Sequence, residues 1–415
     1  MRIDIDRWEE ILITITRNKT RSFLTAFGVF WGIFMLVALM GGSRGIQNMM
    51  ESNFEGFASN SGFIVSEQTS KAYKGFRKGR HWDLEMTDLQ RIRQAVSEID
   101  ILTPCIGRWG IKAAYDKKEH NSCSMKGIYP EYARIEAPSI SRGRFINHID
   151  VKEQRKVCVI GRQIYETLFP DGSDPCGKFI NINGLYYQII GVNNSAGNLS
   201  INGWAPTTII VPISTMQKHY NTGNVIDMIC YTAKAGCSIK DIQPKIETVI
   251  RQAHMIHPDD KRALMHLNAE ALFSMVDNLY RGIRILSWMV GLGTLLAGAI
   301  GVSNIMMVTV KERTNEIGIR RAIGAKPRDI MSQILSESMV LTAIAGMAGI
   351  SFAVFILQML EMGVSSGEGT SAHFQISFWM AVGACLILLT LGMLAGLAPA
   401  YRAMAIKPIE AIRDE

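Results

Sequence analysis

Residues 285–310 read ILSWMVGLGTLLAGAIGVSNIMMVTV, a run of 26 positions without one ionisable side chain. At 1.5 Å per residue such a helix is about 39 Å long, more than the ~30 Å hydrocarbon core of a bilayer requires. Three more charge-free stretches stand with it. They are Phe23 to Met40, which runs on through small residues to Gly42, then Ser338 to Leu360, and Phe374 to Ala400. One such run is compatible with a buried core helix; four of them predict a membrane protein. Composition agrees. Of 415 residues 48% are hydrophobic and only 20% are charged, with a mean hydropathy of +0.12. Soluble chains carry nearer about 25% charge, and disorder needs the opposite balance.

Basic residues outside the spans set the orientation, because short positive loops stay in the cytoplasm. Residues 1–22 hold Arg2, Arg7, Arg17, Lys19 and Arg21. The loop 311–337 holds Lys311, Arg313, Arg320, Arg321, Lys326 and Arg328, and the tail 401–415 holds Arg402, Lys407 and Arg413. The short loop 361–373 has no Lys or Arg. Both termini and the 311–337 loop are therefore expected inside, and 361–373 outside. The stretch 41–284 is then extracytoplasmic, and its 30 basic and 24 acidic residues do not oppose this, since long domains translocate regardless of charge. The net charge of +7 gives no reason to expect nucleic acid on this topology. Asp4, Asp6, Glu9 and Glu10 exclude a cleaved signal peptide, so the first span reads as an anchor. Trp8, Ile11, Leu12 and Ile15 share one helical face, which predicts an amphipathic helix against the inner-leaflet lipids.

The spans contain no Asp, Glu, Lys, Arg or His. Proton- and ion-coupled carriers place such groups inside the membrane, so a polar route through this chain is not expected. Asn304, Gln358 and Thr390 are read as helix-to-helix hydrogen-bonding groups. Small residues recur at helical spacing: Gly293, Ala297 and Gly301 in the second span, Gly392, Gly396 and Ala400 in the fourth. They predict close packing, within the chain or against a second copy. Apolar stripes continue beyond the membrane at Ile46, Met49, Met50 and Phe54, and at Leu272, Val276, Leu279, Tyr280 and Ile283. These predict a helical stalk at the ends of the external domain.

Within 43–284 strand and helix signals alternate. Strands are predicted at Gly62–Glu67, Arg155–Ile160, Thr208–Val211 and Asp227–Thr232, and a hairpin over Lys178–Val192 turning at Asn183-Gly184. Helices are predicted at Thr87–Val96, capped by Thr87, at Arg162–Phe169 and at Ser238–Met255. A mixed α+β domain of two small lobes results. Six of the seven cysteines lie here (Cys105, Cys123, Cys158, Cys176, Cys230, Cys237), with Cys385 in the fourth span. They allow up to three disulfides or free apolar thiols, and no C-x-x-C spacing marks a metal or redox motif. His254, His257 and His266 lack a zinc motif and read as surface histidines rather than a metal site. No G-x-S-x-G or nucleophile–base pattern marks an enzyme. Lys71, Lys74, Arg77, Lys78 and Arg80, interleaved with Tyr73, Phe76 and Trp82, form either a solvated loop or a site for an anionic ligand, lipid headgroup or partner protein.

The inner loop is the most specific stretch. Residues 311–330, KERTNEIGIRRAIGAKPRDI, interleave charge with Ile317, Ile319, Ala322 and Ile323. Gly324 is suited to ending a helix and Pro327 cannot continue one freely, so a short charged helix is predicted between the second and third spans. Such a helix suits docking of a cytoplasmic partner.

This segment resembles the signature of the FtsX-like permease family of ABC transporters, especially its MacB type, through Glu312, Arg313, Glu316, Ile317, Gly318, Arg320, Ala322, Gly324 and Ala325. Arg21-Ser22 and Phe27-Gly28 are similar to the family's start. Gly143-Arg144-Phe145, Val157 to Gly161, Leu168-Phe169, Gly177-Lys178 and Ile190-Gly191-Val192 resemble the MacB-like periplasmic core, and Pro399 to Ala403 with Pro408 its tail. The resemblance implies a permease that works as a mechanotransmitter. Glu312, Arg313, Glu316, Ile317, Gly318, Arg320, Arg321, Ala322, Gly324 and Ala325 would couple a cytoplasmic ATPase to movement of the external domain. It further implies a second permease copy, identical or paralogous, and a periplasmic adaptor with an outer-membrane duct. No G-x-x-x-x-G-K-[ST] phosphate loop occurs in the 415 residues. No cofactor is therefore expected on this chain, and ATP and magnesium are expected on a separate ATPase.

The expected architecture is an α-helical membrane protein with four transmembrane helices and a large α+β extracytoplasmic domain between helices 1 and 2. In chain order it has an amphipathic cytoplasmic helix (1–22), a span (23–42), the periplasmic domain (43–284), a span (285–310), the coupling loop (311–337), a span (338–360), a short periplasmic loop (361–373), a span (374–400) and a cytoplasmic tail (401–415). The expected location is the inner membrane, in contact with lipid. The expected function is efflux of a drug, peptide or other substrate. Lipoprotein release and control of cell-wall hydrolases are the alternatives within the family. Outside it stand a receptor with an external sensor, which lacks an inner output domain here, and an anchored external enzyme, which lacks a catalytic constellation.

Overall fold

The structure is a computed structural model and describes residues 19–54, 56–195, 200–365, 374 and 378–406. Residues 1–18 of the amphipathic helix predicted over 1–22, residues 366–373 of the 361–373 loop and the tail beyond Ile406 lie outside the described residues. The chain divides into two compact units, one formed by residues 1–50 with 278–415 and the other by 51–277.

The first unit is helical. Helix α1 spans Lys19–Asn53 and, after the second unit, α7 spans Ala269–Glu312, α8 Thr314–Ala322, α9 Pro327–Ser365 and α10 Phe378–Met404. Among the described residues four helices, α1, α7, α9 and α10, are long and apolar enough to cross a membrane. Their buried faces meet in one cluster, with Ile33 and Leu36 of α1, Leu295 and Val302 of α7, Ile330 and Ala353 of α9, and Leu388 and Ala400 of α10. Lipid tails offer little driving force between helices, so close approach at small residues has to supply the packing. It does so at Gly28 against Gly298, Gly32 against Leu295, Gly349 against Ile33 and the Phe30 carbonyl, and Gly346 against Leu388.

The second unit is the α/β domain. Its elements are β1 (Ser61–Ser66), β2 (Leu84–Glu85), α2 (Met86–Ala95), β3 (Ile99–Tyr115), β4 (Lys118–Ile128), β5 (Ile140–Gly143), α3 (His148–Lys152), β6 (Val157–Gly161), α4 (Arg162–Leu168), β7 (Phe179–Ile182), β8 (Leu185–Asn193), β9 (Thr208–Pro212), α5 (Ile213–Tyr220), β10 (Val225–Ile226), β11 (Met228–Ala233), α6 (Ile239–Ala253) and β12 (Leu264–Asn268). One mixed sheet runs in the order β12-β1-β11-β3-β4-β9-β6-β8-β5, with β7 pairing β3 and β8. Pairings β4/β9 and β6/β8 are parallel and the rest antiparallel. Helices α2 and α6 pack on the β1, β3 and β11 side, and α4 and α5 on the β4 and β9 side. The two lobes therefore share a sheet, joined along the β3–β4 hairpin.

Local signals placed most elements. Asn183 and Gly184, both at positive φ, make the tight turn between β7 and β8. Ser238 Oγ accepts from Lys240 N at 3.1 Å and starts α6. At α2 the expected cap moves: Glu85 precedes the helix, and its backbone N–H donates to the buried Asp88 carboxylate at 2.9 Å, leaving Thr87 in the first turn. The long strands β3 and β4 had no periodic signal. Most of β3 from Ile101 to Gly107 is buried, so polar and apolar residues need not alternate, and Pro104 and Gly110 read as breakers. The ladder absorbs Gly110, at positive φ, in a register shift between Arg108 and Ile111.

The cysteines are thiols throughout, with Cys105, Cys123, Cys158 and Cys230 buried as small apolar residues. The histidines correct the surface reading. His254 Nε2 lies 2.8 Å from Asp88, and His266 Nε2 lies 2.9 Å from Glu247 Oε1, in different places. Burial raises the affinity of Glu247 for its proton. Hydrogen bonding from His266 and Gln243, with the charge of Arg251, outweighs this and holds its pKa at about 2. An unfolded glutamate protonates near 4.5. The stabilisation is therefore present above pH 4.5 and is lost as pH falls through about 2; after screening by solvent at this partly exposed site it is on the order of 2 kcal/mol. Protection factors of α6 amides, corrected for the intrinsic pH dependence of exchange, should fall between those pH values. In Glu247→Gln the protection should already be lower at neutral pH and change less across the window. Identical profiles for both chains would contradict this.

Candidate coupling site

Helix α7 stops where Thr314 turns its hydroxyl back onto the Lys311 carbonyl at 2.7 Å and the Val310 carbonyl at 3.2 Å. Back-bonds of this kind bend helices, and the chain turns at Arg313 into the nine-residue α8. The far end of α8 is closed as firmly. Gly324, at φ +109°, donates its N–H to the Arg321 carbonyl at 3.1 Å, and Ala325 donates to the Arg320 carbonyl at 3.0 Å. That paired closure depends on a residue able to adopt positive φ, which is why glycine stands there. Pro327 then opens α9, where a missing N–H costs nothing. A helix stopped at both ends by its own sequence is a rigid short rod.

Its inner face is bound to the membrane unit. Ile317 and Gly318 are buried, and Ile317 joins the cluster that holds Val310, Ile330 and Ile334. Arg320 donates to Gln333 Oε1 of α9 at 3.2 Å and pairs with Glu316 at 2.9 Å. Arg313 Nη1 stands 3.6 Å from Glu337 Oε1 of α9, a carboxylate only 7% exposed. A small, partly open cleft between these groups, lined by Met306, Thr309, Arg313 and Glu337, has room for bound water. Arg321 Nη1 donates to the Met404 carbonyl at 2.9 Å and to the Ile406 carbonyl, capping the end of α10. Helix α8 is thus tied to α7, α9 and α10 at once.

The outer face is open. Ile323 is 82% exposed and Ile319 47%, with Glu316, Ala322, Lys326 and Arg328 exposed beside them. Solvent-facing isoleucines on an anchored charged helix make a patch suited to an interface. The ten loop residues singled out from sequence therefore separate. Ile317, Gly318, Arg320 and Arg321 face or grip the membrane unit, Gly324 and Ala325 form the stop, and Glu316 and Ala322 lie outward. Glu312 ends α7 on the exposed side and Arg313 sits at the bend. Sequence reasoning missed Gln333, Glu337 and the α10 carbonyls. Glu337 carried a usable signal, being a carboxylate directly before a charge-free span.

The small residues expected to pack divide as well. A Cβ at Gly392 would stand 3.0 Å from Thr342, and one at Gly396 3.1 Å from Ser338, so both lie at the α9–α10 contact. Gly293 and Gly301 would meet nothing within 4 Å, and Ala297 is exposed. Within the chain the close contacts of α7 are made instead by Gly291 against Leu36 and by Gly298 against Gly28. Spacing alone could not separate the two stripes, because glycines lie on both faces of this helix.

Residues 22–249 match the MacB-like periplasmic core domain and residues 288–408 match the FtsX-like permease C-terminal domain. The macrolide export ATP-binding/permease protein MacB of Chlorobaculum tepidum is 29% identical over 97% of this chain and 60% of its own length. The pyoverdine export ATP-binding/permease protein PvdT of Pseudomonas putida is 25% identical over 96% of this chain and 58% of its own length. The chain thus spans under two thirds of these relatives. The crystal structure of the periplasmic region of MacB from Actinobacillus actinomycetemcomitans aligns with a TM-score of 0.42 and 21% identity, over 55% of this chain and 96% of that one.

Proposed function

Since this chain belongs to the FtsX-like permease family of ABC transporters, in its MacB branch, we propose that it is the mechanical half of an efflux machine. A separate cytoplasmic ATPase binds ATP and magnesium and docks on the outer face of α8. Its closure pushes the rod, and the rod moves the membrane helices to which it is tied. The periplasmic domain then changes shape and expels substrate outside the inner membrane, so no polar route through the bilayer is required. We place both termini and α8 in the cytoplasm. A second permease copy completes the unit, with a periplasmic adaptor and outer-membrane duct as further partners. Relatives named for macrolide and pyoverdine export favour a small molecule or peptide as substrate over lipoprotein release or hydrolase control.

The observation that carries this reading is the two-faced α8, gripped by three helices on one side and presenting Ile319 and Ile323 on the other. The test is mild-detergent purification of the tagged chain from its native membrane, with ATPase assay and identification of co-purifying proteins. A stoichiometric P-loop ATPase, lost when residues 311–328 are altered, is the expected result. Recovery of a kinase and no ATPase would favour a receptor instead.

Charge reversal at the surface of α8 should act in the same assay. Glu316→Lys and Arg320→Glu each break the 2.9 Å pair between them and are expected to lower coupled ATPase activity several-fold. Membrane insertion should be unchanged. Full coupling in both variants would remove the docking role from α8.

A further inference from the structure

The aromatic and basic loop after β1 is a built element. Tyr73 and Phe76 exchange backbone hydrogen bonds at 3.0 and 2.9 Å across Lys74 and Gly75, both at positive φ, which is a tight hairpin turn. Its base is pinned to Asp260, a fully buried carboxylate that accepts from Ser70 N and Oγ at 2.7 Å, Lys71 N at 3.0 Å and Arg262 N at 3.1 Å. Arg80 donates to the His254 carbonyl at 2.5 Å and lies 4.1 Å over the Phe76 ring. The Trp82 indole N–H donates to the Glu67 carbonyl at 2.8 Å. A solvated connector needs none of these ties.

The result is a fixed array of cations. Lys71, Lys74, Arg77, Lys78, Lys261 and Arg262 are exposed, and among the described residues none of them has a carboxylate side chain within ion-pair distance. At the foot of the loop lies an open cleft of about 710 Å3, with Thr69, His81, Trp82, Lys261, Arg262 and Met265 in its walls. We propose that this cleft and hairpin bind an extended acidic peptide segment of a partner protein. The cleft is far larger than a single phosphate or carboxylate. Lys261 and Arg262 stand in the cleft wall, and Lys74, Arg77 and Lys78 lie on the hairpin that follows its Ser66–Ser70 side in the chain, so the cations are spread over two segments. Glu67 and Asp83, also in the cleft wall, can accept backbone N–H groups, which a peptide carries and an inorganic anion does not. Because the loop is already ordered, binding pays little to organise it. This proposal does not depend on ATPase coupling, and neither does its test.

The test titrates purified full-length chain, in neutral detergent, into a labelled acidic peptide of about a dozen residues, following fluorescence anisotropy. Binding is expected to be saturable and to weaken as salt rises from ~50 to ~300 mM. The combined variant Lys71→Gln, Lys74→Gln, Arg77→Gln and Lys78→Gln should weaken it at least about tenfold, and Lys261→Gln with Arg262→Gln likewise. These exposed substitutions should leave the melting temperature unchanged, which separates lost binding from lost folding. A neutral peptide of the same length should not bind. The proposal is overturned if the acidic peptide fails to bind, if both variants bind as wild type, or if phosphatidylglycerol vesicles or inorganic phosphate displace the peptide at concentrations below its own.

Discussion

Replacing Gly298 with leucine is expected to unfold the membrane unit at a temperature or detergent strength the wild-type chain survives. The Cβ alone would stand 2.9 Å from the Gly28 carbonyl oxygen, 3.0 Å from its carbon and 3.2 Å from Val29 N. These are backbone atoms of α1, so no rotamer change relieves the clash, and the two helices must separate. Overpacking a close-packed core typically costs about 1–3 kcal/mol, and a leucine here belongs at or above the upper end. Three controls sharpen the expectation. Gly28→Ala adds a Cβ 3.5 Å from Gly298 Cα, an ordinary contact, and should cost little. Gly293→Leu and Gly301→Leu enter open space on the same helix and should leave the single chain near wild type. Thermal unfolding of purified chain in detergent reads all four. If Gly293→Leu were the damaging one, the helix would be rotated from the orientation described.

Arg321→Ala is expected to have the largest effect on coupling. Its guanidinium holds the carbonyls of Met404 and Ile406, so α8 loses its tie to α10 and two carbonyls at that helix end lose a charged donor. Hydrogen bonds to charged groups contribute roughly 1.5–3 kcal/mol, and 1.4 kcal/mol is a factor of ten. Stimulation of the partner ATPase should therefore fall at least about tenfold while membrane insertion persists. Arg321→Lys should restore part of it, because one ammonium can still reach one carbonyl but lacks the forked geometry. Arg402→Ala, on an exposed position near the end of α10 and outside the docking face, is the matched control. Coupling in Arg321→Ala at the wild-type level would mean that the α8–α10 tie carries no force.

The same contrast separates what could be read in the sequence from what could not. Four spans, the α+β domain between the first and second, the 311–330 helix with its glycine stop and the family itself were legible in one dimension. Each rests on a property carried along the chain: length of apolar run, period of side chains, or residue types that only certain turns accept. The hairpin of β3 and β4 was not legible, because strands buried in a sheet interior lose alternation and Gly110 and Pro104 pass for breaks. Nor was the choice of packing face on α7. Gly291, Gly293, Gly298 and Gly301 are chemically identical, and only the position of α1 decides that Gly291 and Gly298 pack while Gly293 and Gly301 stay open. Arg321 and Glu337 repeat the lesson at the site. The charges are plain in the sequence, but their partners lie on α10 and at the bend before α8, and which groups a folded chain brings within hydrogen-bonding distance is decided by packing in three dimensions.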